Sequence, residues 1–444
     1  MFKCPKCGAQ YLKWQGRCSE CGNWGLVEEE EEEIIKTKDK SKKNDGKLSS
    51  IFDLNNVVIG ADERIKTNIG EVDLVLGGGI VRGSLILLSG QPGIGKSTLV
   101  MQIATKYEKQ DEDDFVLYVS GEETKEQVKS RLDRINKNSK NIKFSNDVIV
   151  ENIQTTIEKL KPTFVIIDSI QTIFSKDLEN SVGSINQIKA CTVKLLDTAK
   201  KLNIPIIIIG HITKEGSISG PKVLEHIVDV VLYFEIQKYK NFRILRSIKN
   251  RFGNTNEVGI FEMKETGLAE VLNPSEVFLE DKIIDKGNVI ACTQEGTRPF
   301  LIEVQALVSK TAFGYPKRAV SGFSLNRLEM IIAVLINKIG LELFNYDIYI
   351  NIVGGINPKD PGLDAAVALS IISAYLNKEV DNNICIFGEI GLSGEIRTVG
   401  REEDRIKEAK RMGIDKIICP KFNNNLSQDI VAISNVKDLL KILR

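Results

Sequence analysis

Residues 90–97, GQPGIGKS, have the residue types and spacing of a phosphate-binding loop, or P-loop. In the pattern G-x-x-x-x-G-K-[ST], backbone N–H groups wrap the phosphates, the lysine reaches the β- and γ-phosphates and the hydroxyl binds Mg²⁺. The glycines let the backbone close around an anion without Cβ clashes. A glycine-rich turn with no ligand is the alternative. The segment predicts ATP and Mg²⁺ as cofactors. The expected nucleotide-binding residues are Gly90, Gln91, Pro92, Gly93, Ile94, Gly95, Lys96, Ser97 and Thr98.

Further polar side chains follow the ends of apolar runs. Asp168 ends FVIID and is expected to share Mg²⁺ with Ser97, a helix N-cap being the alternative. Glu122 and Glu123 follow FVLYV in SGEE, and ligands bind where such strands end. We predict Glu122 as the general base, with Glu123 in reserve and a solvated loop acid as the alternative. His211, after IPIIIIG, is either a γ-phosphate sensor or a structural histidine.

Four cysteines near the N-terminus have the spacing of a structural zinc site. Cys4, Cys7, Cys18 and Cys21 form C-x2-C-x10-C-x2-C, two knuckles whose thiolates can complete a closed tetrahedron around Zn²⁺. A redox C-x-x-C pair and four incidental thiols are the alternatives. A module this small needs its metal to fold.

A parallel sheet is needed to bring the P-loop and the acidic residues together. Short apolar runs at 85–90, 115–120, 163–169 and 204–212 alternate with helical patterns, which indicates a parallel sheet covered on both faces. VDVVLYFEI, NFRILRSIKN and VGIFEM follow without helices and are expected to be its antiparallel extension. We predict an α/β protein with a zinc module at 1–27, a charged linker at 28–50, an ATPase domain at 51–272 and a second α/β domain at 273–444.

Composition limits the class of protein. The 444 residues include 60 basic and 60 acidic side chains, so the net charge gives no support to a nucleic-acid binder. No run approaches the ~18 apolar residues of a membrane span, and MFKCPKCGAQ lacks the apolar core of a secretory signal. The sequence therefore predicts a cytoplasmic protein without membrane contact.

Several motifs occur in the order of one family. The zinc knuckles, SGQPGIGKST, YVSGEE, VIIDSIQT, GHITKEG and KNRFG resemble the bacterial RadA (Sms) family of RecA-like DNA repair ATPases, over the whole chain. The resemblance implies a RecA-like core and a homo-hexameric ring similar to DnaB-type helicases. It also implies a DNA-dependent ATPase that acts on single-stranded and branched DNA and drives branch migration of strand invasions made by RecA recombinase.

The segment RSIKNRFG, residues 246–253, crowds cations at the end of a strand. Lys249 and Arg251 are two positions apart, so in strand register they point to one face. In ring ATPases of this type, such a pair reaches the γ-phosphate of the neighbouring subunit, which requires an oligomer because the strand is distant from its own P-loop. A DNA phosphate is the competing anion, and a solvated strand end is the third alternative.

Two loops are candidates for DNA contact because they leave the same end of the sheet, one after Asp168 and one after Gly210. The first carries a single lysine, and the second carries Lys214 and Lys222. This modest charge is consistent with binding of the DNA backbone without sequence preference.

Residues 355–374 and 388–414 resemble the Lon protease catalytic domain. That family needs a serine nucleophile shortly after PKD and a lysine base later. Here the first serine after PKD is Ser370, well inside a helix, and Glu403 stands where the lysine belongs. We predict a scaffold without peptidase activity. Two functions stay open for the whole chain: an ATP-driven ring motor on DNA, or an ATP-switched scaffold that binds DNA or protein without translocation.

Overall fold

The computed structural model describes residues 64–109, 111–137, 141–211, 224–236, 242–280, 285–312, 314–354, 356–381, 383–421 and 429–443, and three short strands near the N-terminus. The chain forms two compact units, Met1–Ile59 and Gly60–Arg444. In the first unit, β1 (Phe2–Lys3) pairs antiparallel with β2 (Gln10–Tyr11) and β3 (Glu28–Glu29). Because β3 pairs with β1, the first two residues of the predicted linker belong to this sheet. The cysteines Cys4, Cys7, Cys18 and Cys21 lie outside the described residues.

The second unit contains a large sheet in its N-terminal half. In the part of the chain that the structure describes, nine strands follow the order β12-β11-β10-β9-β4-β8-β7-β5-β6. These strands are β4 (Leu85–Gly90), β5 (Val116–Ser120), β6 (Ile142–Ser145), β7 (Phe164–Asp168), β8 (Ile206–His211), β9 (Val230–Ile236), β10 (Phe242–Asn250), β11 (Val258–Lys264) and β12 (Gly267–Glu270). The helices packed with them are α1 (Gly70–Leu76), α2 (Lys96–Lys106), α3 (Lys125–Asn136), α4 (Val150–Leu160) and α5 (Ile185–Leu202).

Both faces of this sheet are buried, as the apolar strands predict. Ile86 and Leu88 of β4 belong to a core shared with α1, α2 and α3, whereas Leu85 and Leu87 face a second core shared with α4 and α5. This alternation follows from the two-residue period of a strand. Two of these helices begin at side-chain caps: Thr124 forms a reciprocal capping box with α3, and the Ser184 hydroxyl accepts a hydrogen bond from the Gln187 amide of α5.

The direction of β9 differs from the prediction. VDVVLYFEI was expected to start the antiparallel extension, but β9 runs parallel to β4 and pairs with it from Ile86 to Gly90. Parallel neighbours need a long crossover, and the connection between His211 and Val230 is long enough to provide one. The antiparallel extension therefore begins at β10, which pairs with β9 and β11.

A second sheet forms the C-terminal half of this unit, with the order β15-β16-β14-β13-β17-β20-β21. Its strands are β13 (Asn288–Glu295), β14 (Arg298–Lys310), β15 (Arg318–Ser321), β16 (Tyr346–Ile352), β17 (Ile384–Ile386), β20 (Lys416–Pro420) and β21 (Ile430–Ile433), and β18 (Glu389–Ile390) pairs with β19 (Ile396–Arg397). Helices α6 (Pro274–Leu279), α7 (Leu325–Val334), α8 (Asp364–Leu376) and α9 (Glu402–Arg411) accompany them, with short helical turns at Leu335–Ile339, Leu343–Asn345, Pro361–Leu363 and Val436–Lys441. The α/β class is confirmed, while the predicted domain limits stay predictions. Among the described helices, none has the length and apolar character to cross a membrane.

Candidate nucleotide site

The P-loop connects the end of β4 to the start of α2, as its mechanism requires. Gly95 precedes α2 with φ 110°, a backbone conformation that residues other than glycine rarely adopt. Gly90 lies so close to β9 that a Cβ atom there would be 2.3 Å from the carbonyl oxygen of Phe234. Glycine is therefore required at both positions for the loop to keep this path.

Lys96 is a buried cation, and no carboxylate of the described residues is in direct contact with it. Its side chain is 3% exposed, and Nζ donates hydrogen bonds to the carbonyl oxygens of Gly90 at 2.9 Å and Gln91 at 3.0 Å. Burial lowers the pKa of Lys96 to about 8, although the charges of Asp168 and Glu122 oppose this change. A buried ammonium group beside a glycine loop fits an anionic phosphate.

Glu122, Asp168 and His211 meet beside the P-loop, and one ligand atom from each lies within 4.8 Å of the others. The Tyr118 hydroxyl donates a hydrogen bond to Asp168 at 2.7 Å, and the Ser169 hydroxyl donates one to Glu122. Carboxylate oxygens are the ligands that Mg²⁺ prefers, so these side chains fit the predicted metal. Asp168 and Glu122 therefore lie where a divalent cation and an attacking water would be needed.

The two neighbouring glutamates have different environments. Glu123 forms a bidentate salt bridge with Arg131, with one nitrogen–oxygen distance of 2.6 Å. The Glu122 carboxylate instead lies 3.5 Å from Nε2 of His211. Because its partner holds Glu123 away from this cluster, the geometry favours Glu122 as the base.

Several buried polar atoms of the described residues lack a hydrogen-bond partner. Those near this site are both ring nitrogens of His211, the hydroxyl of Ser89 at the end of β4 and Oε1 of Gln171. Such atoms are rare because leaving them unpaired costs free energy. The structural alternative for His211 would require satisfied hydrogen bonds, so this cluster instead favours contact with a ligand or with water.

The KNRFG segment, residues 249–253, lies near the opposite edge of the sheet from the P-loop. Lys249 pairs with Val231 of β9, and Val231 pairs with Leu87, three positions before Gly90 on β4. Three strand positions correspond to about 10 Å, and the P-loop extends farther from that point. Lys249 and Arg251 are therefore remote from the phosphate site of their own chain.

Lys249 and Arg251 reach a common segment of the same chain. Lys249 Nζ donates to the carbonyl oxygens of Glu225 at 2.6 Å and Val228 at 2.8 Å, and Arg251 forms a 3.0 Å ion pair with Asp229. Asp229 is 1% exposed. The predicted strand register does not extend to Arg251, because a register shift interrupts β10 just before Lys249 and the strand ends at Asn250.

Sequence analysis missed three polar residues that organise these sites. Arg243, 7% exposed on β10, donates to the P-loop carbonyl of Ile94 at 3.2 Å. The other two are Tyr118, which donates a hydrogen bond to Asp168, and Asp229, which forms an ion pair with Arg251. A usable signal existed for Arg243, since a cation inside the apolar run NFRIL needs a partner when buried. No comparable local signal marks Asp229, whose partner lies in another element.

The first predicted DNA loop, residues 169–184, is tied to the helices beneath it. Gln187 of α5 accepts a hydrogen bond from the Ser175 amide at 2.9 Å, and the Ser175 hydroxyl donates one to Glu151 of α4 at 2.5 Å. The second loop, with Lys214 and Lys222, lies outside the described residues.

The Lon-like residues have structural partners. Ser370 is fully buried within α8, and its hydroxyl donates to the Val367 carbonyl at 2.8 Å. Asp360 of the PKD motif forms a 2.7 Å ion pair with Arg405, which is 2% exposed. Glu403 is exposed on α9. The described residues therefore do not offer Ser370 as an accessible nucleophile.

Family models and solved structures match separate parts of the chain. An AAA domain matches residues 53–217, the Lon protease (S16) C-terminal proteolytic domain matches 331–444, and a rubredoxin metal binding domain matches 2–29. These matches confirm the predicted order along the chain: an N-terminal metal-binding module, a P-loop ATPase core and a Lon-like domain.

Two solved structures are similar to part of this chain, an ATPase domain and a DnaB-like replicative helicase that was solved in a study of its interactions with primase. Each has a TM-score of 0.41 and 17% identity. Each likeness covers 48% of this chain, and 93% and 63% of the respective solved chains.

Relatives match the chain from end to end. DNA repair protein RadA of Bacillus subtilis is 42% identical, and the alignment covers 99% of this chain and 97% of the relative. RadA of Listeria monocytogenes is 43% identical over the same shares, and RadA of Streptococcus pyogenes serotype M6 is 46% identical over 99% and 98%. The chain belongs to the bacterial RadA family of DNA repair proteins.

Proposed function

We propose that this protein is a DNA-dependent ATPase of DNA repair that acts as a ring-shaped motor on single-stranded and branched DNA. The observation that carries the proposal is the convergence of Lys96, Asp168 and Glu122 at one edge of the sheet. The printed names of the relatives support the assignment to DNA repair. Branch migration of strand invasions made by RecA and a homo-hexameric state are the finer parts of the proposal.

The residues of this site divide the work of hydrolysis. Lys96 and the P-loop amides bind the phosphates, and Ser97 and Asp168 would hold Mg²⁺, which neutralises charge as the phosphate bond breaks. Glu122 orients and deprotonates the attacking water, and Ser169 fixes the direction of its carboxylate. His211, with both ring nitrogens unpaired, contacts the γ-phosphate.

Lys249 and Arg251 couple the nucleotide to DNA. Because they lie near the opposite edge of the sheet from their own P-loop, they act on the γ-phosphate of a neighbouring subunit or on a DNA phosphate. When this anion binds, Lys249 and Arg251 would contact it and release their present partners in the 225–229 segment.

The remaining assignments complete the proposal. Cys4, Cys7, Cys18 and Cys21 hold Zn²⁺ in a module that docks a partner, and the C-terminal domain is a scaffold without peptidase activity. The protein works in the cytoplasm. The alternative function is an ATP-switched scaffold that binds DNA or protein without translocation.

ATP turnover with and without single-stranded DNA tests the proposal. DNA is expected to raise turnover several-fold in the wild type but not in Lys249→Ala, while Lys264→Ala, an exposed lysine on β11, behaves as wild type. Migration of a branched substrate then separates a motor from a scaffold. Turnover that ignores DNA, or DNA binding that depends on nucleotide without branch migration, would contradict the motor.

A further inference from the structure

The turn that joins β13 to β14, residues 295–298, holds the strand that leads into the KNRFG segment. Arg246 of β10 lies three positions before Lys249 and forms ion pairs with Glu235 at 2.6 Å and with Glu295 at 2.8 Å. The Glu295 side chain is 16% exposed, and burial raises its pKa although Arg246 opposes the change. The ion pair between Arg246 and Glu295 joins β10 to the C-terminal domain, and this contact is the first anchor.

The same turn holds the chain again beyond the motif. The Thr297 amide donates to the Asn256 carbonyl at 2.9 Å, and the Thr297 hydroxyl donates to the carboxylate of Glu257. Gly296 has φ 62°, and a Cβ atom there would be 1.6 Å from the Asn256 oxygen. Backbone therefore packs directly on backbone at this second anchor, and no side chain fits between the two.

The two anchors enclose residues 247–255, which carry Lys249 and Arg251. On its other side this segment is held by Arg64, whose Nη2 donates to the Phe252 carbonyl at 2.7 Å. The C-terminal domain thus contacts the ATPase half just before and just after Lys249 and Arg251.

We propose that Glu295 and Thr297 are positioning residues, through which the C-terminal domain sets the direction of Lys249 and Arg251. The proposal rests on the coupling role proposed above for these two cations. Its physical basis is that a segment of nine residues fixed at both ends has few conformations, so its cations stay aimed at one location. Loosening either anchor should reduce the response to DNA without altering hydrolysis at the chain's own P-loop.

The full-length protein is compared in five forms: wild type, Glu295→Gln, Thr297→Val, Thr297→Ser and Glu262→Gln. Thr297→Ser keeps the hydroxyl donor. Glu262→Gln makes the same change of side chain as Glu295→Gln, but in a 3.2 Å ion pair with Lys264 on β11 that lies outside residues 246–257 and outside the 295–298 turn. The kcat and KM for ATP are measured with and without single-stranded DNA, and hydrogen exchange of amides in 247–255 is followed in parallel.

Glu295→Gln and Thr297→Val are expected to reduce the DNA-induced rise in kcat at least threefold, with kcat and KM in the absence of DNA changed less than twofold. Their amides in 247–255 should exchange about tenfold faster. Thr297→Ser and Glu262→Gln should match the wild type in both measurements. Unchanged stimulation and exchange in both anchor variants, or an equal loss in Glu262→Gln, would overturn the proposal.

A wild type that ignores DNA would refute the proposed function separately. Exchange in 247–255 would then decide the positioning role alone. Faster exchange in Glu295→Gln and Thr297→Val would support it, and wild-type exchange would overturn it.

Discussion

The buried ammonium of Lys96 predicts that nucleotide affinity falls as the pH rises above about 8. The free protein loses the Lys96 proton near this pH, whereas bound phosphate charge stabilises the ammonium and raises its pKa. Binding therefore takes up a proton in alkaline solution. A lysine whose pKa falls from 10.5 to about 8 has lost about 3 kcal/mol of preference for its charged form, and a bound phosphate restores it.

The size of the effect follows from the fraction of charged Lys96. Between pH 7.5 and pH 9 this fraction falls from about three quarters to about one tenth in the free protein, so Kd should rise about eightfold. Titration calorimetry with a non-hydrolysable ATP analogue and Mg²⁺, in buffers of different ionisation enthalpy, measures Kd and proton uptake together.

Lys96→Arg is the control, since a guanidinium stays charged throughout this range. Its affinity should be lower than that of the wild type at pH 7.5 but should not depend on pH between 7.5 and 9. A wild-type Kd that stays constant over this range, with no proton uptake, would refute the assignment of Lys96 as a buried phosphate ligand with a depressed pKa.

Three further predictions concern other residues. Glu122→Gln should lower kcat about 10²- to 10³-fold in a phosphate-release assay while nucleotide binding persists. Glu123→Gln should retain most activity, because the Glu123 carboxylate of the wild type is engaged in a salt bridge with Arg131. Equal losses of kcat in the two variants would contradict this division. Arg405→Ala should cost about 3–5 kcal/mol in urea unfolding because Asp360 would keep an unpaired buried charge, whereas a loss below about 1 kcal/mol would show that the site relaxes. Chelation by EDTA should expose residues 1–27 to proteolysis, and re-added Zn²⁺ should restore protection; persistent protection after metal removal would contradict a zinc-dependent fold.

The sequence predicted the features that depend on neighbouring residues. GQPGIGKS lies between a strand and a helix, and Asp168 ends the strand that was expected, because a local pattern specifies both. The prediction of Glu122 before Glu123 had no local pattern behind it, and the structure supplies a physical reason, because Glu123 forms an ion pair with Arg131.

Features that depend on distant parts of the chain were not predictable from local patterns. The direction of β9 depends on which edge of β4 was still free, and no residue within VDVVLYFEI encodes that choice. Asp229 reads as an ordinary polar residue until the fold brings Arg251 to it across the turn after β10. The same applies to Gly296, whose need for glycine arises from a carbonyl about forty positions earlier in the chain.

The contact between the 295–298 turn and the loop after KNRFG also limits how the two halves of this protein can be recombined. A chimaera made by joining the ATPase half of one relative to the C-terminal half of another separates Thr297 from the Glu257 with which it pairs. The backbone contact at Gly296 is kept in any chimaera that has glycine at this position. The side-chain pairs Arg246–Glu295 and Glu257–Thr297 are kept only if both members of each pair come from the same relative. Residues 246–257 thus belong with the C-terminal domain as a unit of exchange, although they are strand and loop of the ATPase sheet.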